Sequence, residues 1–187
     1  MEYPIFLKTL DSRLLQSAIA EEIKHALLSN TTFWHSIQNV AANYFYSLSF
    51  IKEALLLKKR YVDEDERDKG IRQSLNLGHS IGHAIESYSF QTATPLLHGE
   101  AIMLGLKHEL RLSMQLFQMP LEIYDAFCTL FANLFPAFDF SYTLKDILPF
   151  LVLDKKNQQE IRMSLLKDIG EPILQMHVSM EELTTSF

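Results

Sequence analysis

Residues 75–86 read LNLGHSIGHAIE, and the reading of this stretch decides how the rest of the chain is understood. His79 and His83 stand four apart, so on a helix both imidazoles leave the same face and point at one spot. Paired histidines at this spacing also occur as packing or surface residues, so their surroundings must decide. His98, followed by Gly99 and Glu100, opens a second periodic stretch after a connector closed by Pro95. A mononuclear catalytic metal needs about three protein ligands from His, Asp or Glu and one open position. Two helices and a carboxylate suffice for that. The metalloprotease signature would place Glu where Ser80 stands, so hydrolysis by that general base is excluded.

Working outward, apolar residues recur at three and four over residues 11–29 (Leu14, Leu15, Ile19, Ile23, Ala26, Leu27), with Asp11 or Ser12 available as N-cap. The same period runs over 32–59 and predicts a helix split by a bend or short turn. The charged run DEDERDKG, 63–70, reads as a solvated loop or helix end. Downstream, helices are expected from His98 to about Gln118, between Pro120 and Pro136, and from Thr143 to Leu153. IRMSLL and PILQMHV, either side of Asp168-Ile169-Gly170-Glu171, predict two short strands joined by a turn, and MEELTTSF a closing helical turn or two. The expected fold is mainly α, multi-helical, with a small β-hairpin near the C-terminus.

Composition narrows the function classes. The 187 residues, 48% of them hydrophobic, suit one globular domain spanning 1–187. The net charge of −6 with dispersed Lys and Arg gives no footprint for a phosphate backbone, so nucleic acid is not an expected partner. Cys128 is the single cysteine, which excludes an intrachain disulfide framework and fits a reducing, cytoplasmic compartment. No stretch is apolar for long enough to span a bilayer, so no membrane partner is expected.

RQSLNLGHSIGHAIE, 72–86, followed by LLHGEAIMLGL, 96–106, resembles the most recognisable sequence block of 3-dehydroquinate synthase and its sugar-phosphate cyclase relatives. FLKTLDSRLLQSAIAEEIKHALL, 6–28, resembles that family's segment with an Ala-Glu-x-Ile-Lys core, and KKRYVDEDERDKGIR the stretch leading into the Asn-x-Gly-His motif. LVLDKKN, 151–157, and IRMSLLKDIG, 161–170, correspond to its Asp-Lys-Lys-Asn segment and the strand after it. Several motifs in the right order make the signal specific.

The resemblance implies one zinc, or another divalent metal, held by Glu21, His79 and His98. It implies two catalytic contacts, His83 near the phosphate group of the substrate and Lys24 at its hydroxyl region, and that Lys58, Arg72, Asn76 and Lys155 hold its carboxylate and phosphate ends. Arg and Lys suit anionic groups through charge-assisted hydrogen bonds. The implied activity is that of a phosphorus–oxygen lyase, converting 3-deoxy-D-arabino-heptulosonate 7-phosphate to 3-dehydroquinate and phosphate in the shikimate pathway, the start of aromatic amino acid biosynthesis. NAD would serve as hydride acceptor. The family's N-terminal half, a Rossmann-like NAD-binding domain, has no counterpart here, since no strand leads into a glycine-rich turn and helix. The chain is therefore expected to be the C-terminal metal-binding domain, partnered by an N-terminal NAD-binding domain and a sugar-phosphate substrate, inactive alone and prone to self-association.

Each residue also has a plainer reading. Glu21 and Glu22 could both face solvent. Lys58-Lys59-Arg60 suits a helix C-terminus, Arg72 could pair with Asp65 or Glu66, and Asn76 could be the N-cap of the motif helix. Glu22 replaces a usually apolar residue of the family, while Ser80 and Ile81 replace Thr and Phe. Two alternatives remain: a related cyclase acting on another sugar phosphate, or a non-enzymatic helical interaction domain that has inherited the motif.

Overall fold

The computed structural model describes residues 9–40, 44–45, 47–136, 138–153 and 161–187. The fold is mainly helical, as expected, with an antiparallel hairpin near the C-terminus. Helix α1, Ser12–Leu27, starts where Asp11 accepts the backbone N–H of Arg13. The long periodic stretch divides into α2, Thr31–Ile37, and α3, Leu48–Glu64. Each has its own side-chain cap, Asn30 accepting from Phe33 and Ser47 from Phe50. The charged run 63–70 ends α3 at Glu64 and continues as a largely exposed turn, in line with the expected helix end. The Asp65 carboxylate accepts the backbone N–H groups of Lys69, Gly70 and Arg72 at 3.1, 2.7 and 3.2 Å, which folds the segment into a tight turn.

A 3-10 turn, Ile71–Asn76, then leads into α4, His79–Ser89. The expectation that Asn76 caps α4 is corrected here. Asn76 closes the 3-10 turn, and the N-cap is Gly78, whose φ of 81° lies in the left-handed region and lets the chain enter the helix directly at His79. Having no side chain, Gly78 cannot cap, and the acceptor arrives from α5, His98–Phe117: buried Glu109 accepts the N–H groups of Gly78 and Ile81. Close contact between the two helices allows this. A Cβ built on Gly105 would lie 2.1 Å from the Gly78 carbonyl oxygen, so only glycine fits there.

Helices α6, Leu121–Leu134, and α7, Leu144–Leu153, complete the packing. Asp146 reaches back to both the N–H and the hydroxyl of Thr143 at the start of α7. Strands β1, Ile161–Asp168, and β2, Glu171–Val178, pair with Ile161 opposite Val178 and carry irregularities after Met163 and Leu166. Ser164 of β1 bonds the Gln73 carbonyl in the 3-10 turn, and Leu166 N–H donates to Ser113 of α5, so the hairpin braces the approach to α4. The last helix, α8, Met180–Thr185, is capped by Ser179 and Glu182.

The core falls into two apolar clusters that share α5. One joins α1, α2, α3, α5 and α6 around Trp34, Phe50 and Phe127. The other packs α4, α5 and α7 on the hairpin around Ile85, Leu112 and Leu165. No described helix is long and apolar enough to cross a membrane.

Candidate metal centre

Helix α1 meets the consecutive helices α4 and α5 at one place. Helix α1 contributes Glu21 and Lys24, α4 contributes His79 and His83, and the first residue of α5 is His98. Residues 98–100 explain how α1 and α5 come together. A Cβ on Gly99 would sit 1.8 Å from the Ser17 carbonyl oxygen, so its absence lets the α1 backbone press directly against α5. Gly99 N–H donates to Ser17 Oγ at 2.9 Å. Glu100, buried, accepts the Leu97 N–H and takes both Nε and a terminal nitrogen of Arg13 at 2.6 and 2.7 Å, which ties the start of α5 to α1.

Glu21 Oε1 stands 3.3 Å from His79 Nε2 and 3.8 Å from His98 Nε2. That oxygen is buried and has no hydrogen-bond partner among the described residues. The other carboxylate oxygen, Oε2, accepts from Lys24 Nζ at 2.7 Å. Burial opposes ionisation of Glu21, but His79 and Lys24 override it and hold the carboxyl well below the usual range. Lys24 shows the converse: burial lowers its pKa, Glu21 pulls it back up, and nearby Lys58 adds to the lowering.

The tautomers follow from what the other ring nitrogens face. His79 Nδ1 lies 3.2 Å from the Leu77 carbonyl and His98 Nδ1 lies 3.1 Å from Glu86 Oε2, and both partners are acceptors. A ring in the tautomer with its proton on Nδ1 turns an Nε2 lone pair toward Glu21 Oε1, the arrangement a metal ligand needs. In that arrangement three lone pairs face one another and repel unless a cation, a proton on His79 or a metal ion, sits among them. The donor set and geometry fit a divalent metal with nitrogen and oxygen ligands. His83 belongs to the same cluster: its ring centroid is 5.2 Å from that of His79 and 5.6 Å from that of His98, and the ligand atoms of the three histidines lie within 4.8 Å of one another.

The remaining expected residues divide. Asn76 lines a cleft beside the cluster with His79, Ser80, His83, Arg162 and Gln175. Lys58 is exposed on α3 and near enough to influence Lys24. Arg72 is half-buried, and its guanidinium donates to the Glu66 carbonyl at 3.2 Å, so it pairs with that residue's backbone and not its carboxylate. Lys155 lies outside the described residues. Glu22, the departure from the family pattern, faces His25 at 3.6 Å on α1. The sequence reading missed Glu86 and Arg162. Glu86 was accessible, three residues past His83 on the same face, whereas nothing local marks Arg162 on a strand.

Residues 18–157 match the family model described as 3-dehydroquinate synthase C-terminal. The 3-dehydroquinate synthase of Parabacteroides distasonis is 38% identical over 186 residues, covering 97% of this chain and 53% of the relative. That of Listeria welshimeri is 34% identical over 177 residues, covering 90% and 48%. The chain thus spans about half the length of the relatives it matches. Among solved structures, a 2-deoxy-scyllo-inosose synthase complexed with carbaglucose-6-phosphate, NAD+ and Co2+ superposes with TM-score 0.77 at 22% identity, covering 95% of this chain and 52% of that one. A 2-epi-5-epi-valiolone synthase from Streptomyces hygroscopicus with NAD+ and Zn2+ gives 0.74 at 20% identity, covering 98% and 52%. At those identities the likeness is one of fold.

Proposed function

This chain belongs to the 3-dehydroquinate synthase C-terminal family, and from that premise we propose that it forms the metal- and substrate-binding half of a 3-dehydroquinate synthase. The whole protein would convert 3-deoxy-D-arabino-heptulosonate 7-phosphate to 3-dehydroquinate and phosphate, with NAD held by a partner N-terminal domain. Glu21, His79 and His98 would hold zinc or a similar divalent ion. The observation that carries this reading is the buried Glu21 Oε1, without a hydrogen-bond partner among the described residues and faced by two imidazole Nε2 atoms.

Bound there, the metal would act as a Lewis acid toward substrate hydroxyls. The rest of the work falls to the side chains. Lys24, anchored on Glu21 Oε2, would donate a hydrogen bond to a substrate hydroxyl at the edge of the metal site. His83, exposed on the same face as His79, would donate to the phosphate end, and Asn76 and Arg162 would complete that side of the cleft. Lys58, Arg72 and Lys155 are assigned to the anionic ends of the substrate on resemblance.

Zinc titration of the purified chain beside its His79→Ala variant, with metal content read by elemental analysis, tests the centre. One zinc per chain in the parent and none in the variant supports it; equal metal content in the two would sink it. The substrate assignment is tested in a two-domain protein containing this chain. Turnover of another sugar phosphate in place of the heptulosonate would move it to a sibling cyclase, of the kind whose solved structures share the fold.

A further inference from the structure

Glu86 has no place in the ligand set implied by the family, yet its carboxylate reaches the ring that most needs holding. His98 is the first residue of α5 and its side chain is 45% exposed, so packing does little to fix the imidazole. Its Nδ1 lies 3.1 Å from Glu86 Oε2. Glu86 sits on α4, seven residues past His79 and three past His83, on the histidine face. Helix α4 therefore carries one candidate ligand in its first turn and, two turns later, an acceptor for the ligand supplied by α5.

Resting on the metal reading above, we infer that Glu86 is a positioning residue that presents His98 to the metal. Its carboxylate accepts the Nδ1 proton, which selects the tautomer with a lone pair on Nε2. The same bond fixes the ring plane, so that Nε2 points at the space beside Glu21 Oε1. The negative charge makes the imidazole a stronger donor, and with Glu21 it supplies two negative charges around a divalent ion. Without it, the ring would rotate at the exposed helix start and adopt either tautomer, and the metal would have to order it on binding.

The test is competition with a chromophoric chelator for Zn2+, and the visible absorption of the Co2+ form, on the parent chain, Glu86→Gln, Glu86→Ala and the charge control Glu181→Gln. Glu86→Ala should weaken Zn2+ binding about 10- to 100-fold. Glu86→Gln, whose amide oxygen still accepts from Nδ1 but carries no charge, should weaken it less and shift the Co2+ bands. Unliganded forms should melt together, because Glu86 lies at the edge of the fold and not in its apolar core. Affinities and Co2+ spectra matching the parent in both Glu86 variants would overturn the role while leaving the metal centre standing. A parent chain that binds neither ion overturns the metal centre and this role together.

Discussion

Glu109 accepts the backbone N–H of Gly78 at 2.5 Å, thirty-one residues away in sequence, and that of Ile81 at 3.2 Å. A fully buried carboxylate is tolerated because the unpaired N–H groups at the start of α4 and the helix dipole meet its charge. Replacing Glu109 with Ala leaves those donors buried and unpaired, for an expected loss of about 2–3 kcal/mol in urea unfolding. Glu109→Gln keeps one acceptor and should lose less. An alanine variant with the parent's midpoint would show that α4 does not depend on this cap.

Gly105→Ala should be costly for a different reason. The new Cβ would meet the Gly78 carbonyl at 2.1 Å and Gly82 N at 2.6 Å, both backbone atoms that cannot move aside as a side chain can. Overpacking of this kind costs about 1–3 kcal/mol. Because the displaced segment begins with His79, Zn2+ affinity should fall along with the melting temperature. A stable variant with unchanged metal binding would contradict the contact.

The C-terminus should loosen in acid. His108 bonds the Ser186 carbonyl through Nδ1 at 2.7 Å and Tyr142 Oη through Nε2 at 2.8 Å, with the ring of Phe187 stacked 3.9 Å away. Burial is the main cause that lowers its pKa, to about 4. The unfolded chain then binds the proton more readily than the folded one. The histidine's stabilisation is complete above about pH 6.5 and is lost as pH falls toward about 4, at most about 3 kcal/mol. Melting curves across that window should show a steeper decline in the parent than in His108→Gln, and parallel declines would refute the assignment.

Arg162 shares its cleft with Asn76, His79 and His83. In a two-domain protein containing this chain, Arg162→Ala should raise KM for an anionic substrate by about tenfold, the loss of one charge-assisted hydrogen bond, and change kcat little. A fall in kcat at constant KM would place the arginine elsewhere in the reaction.

Much of the fold was readable because its signals are local. The spacing in α1 and α5, the prolines flanking α6 and the turn at Asp168–Glu171 each encode their own element. The four-residue step from His79 to His83 did the same for one wall of the site, and the next step to Glu86 followed the same rule unnoticed. Other features are written in pairs of distant residues. The cap of α4 depends on Glu109, so a rule that looks for a neighbouring side chain chose Asn76. The restart of the helix at α3 is marked by the Ser47 side chain accepting the Phe50 N–H, a signal that apolar periodicity does not carry. Arg162 enters the cleft only because β1 lies across the turn before α4.

The contact between Gly99 and the Ser17 carbonyl has a mechanical meaning. Where side chains separate two helices, the gap can breathe as rotamers exchange; where backbone meets backbone, repulsion sets a hard stop. The distance from Glu21 to His98 is thus gauged by incompressible peptide units one helical turn away from the carboxylate. Core substitutions elsewhere can let α1 and α5 drift apart but cannot press them closer, so drift in the evolving core can enlarge the centre and never crush it.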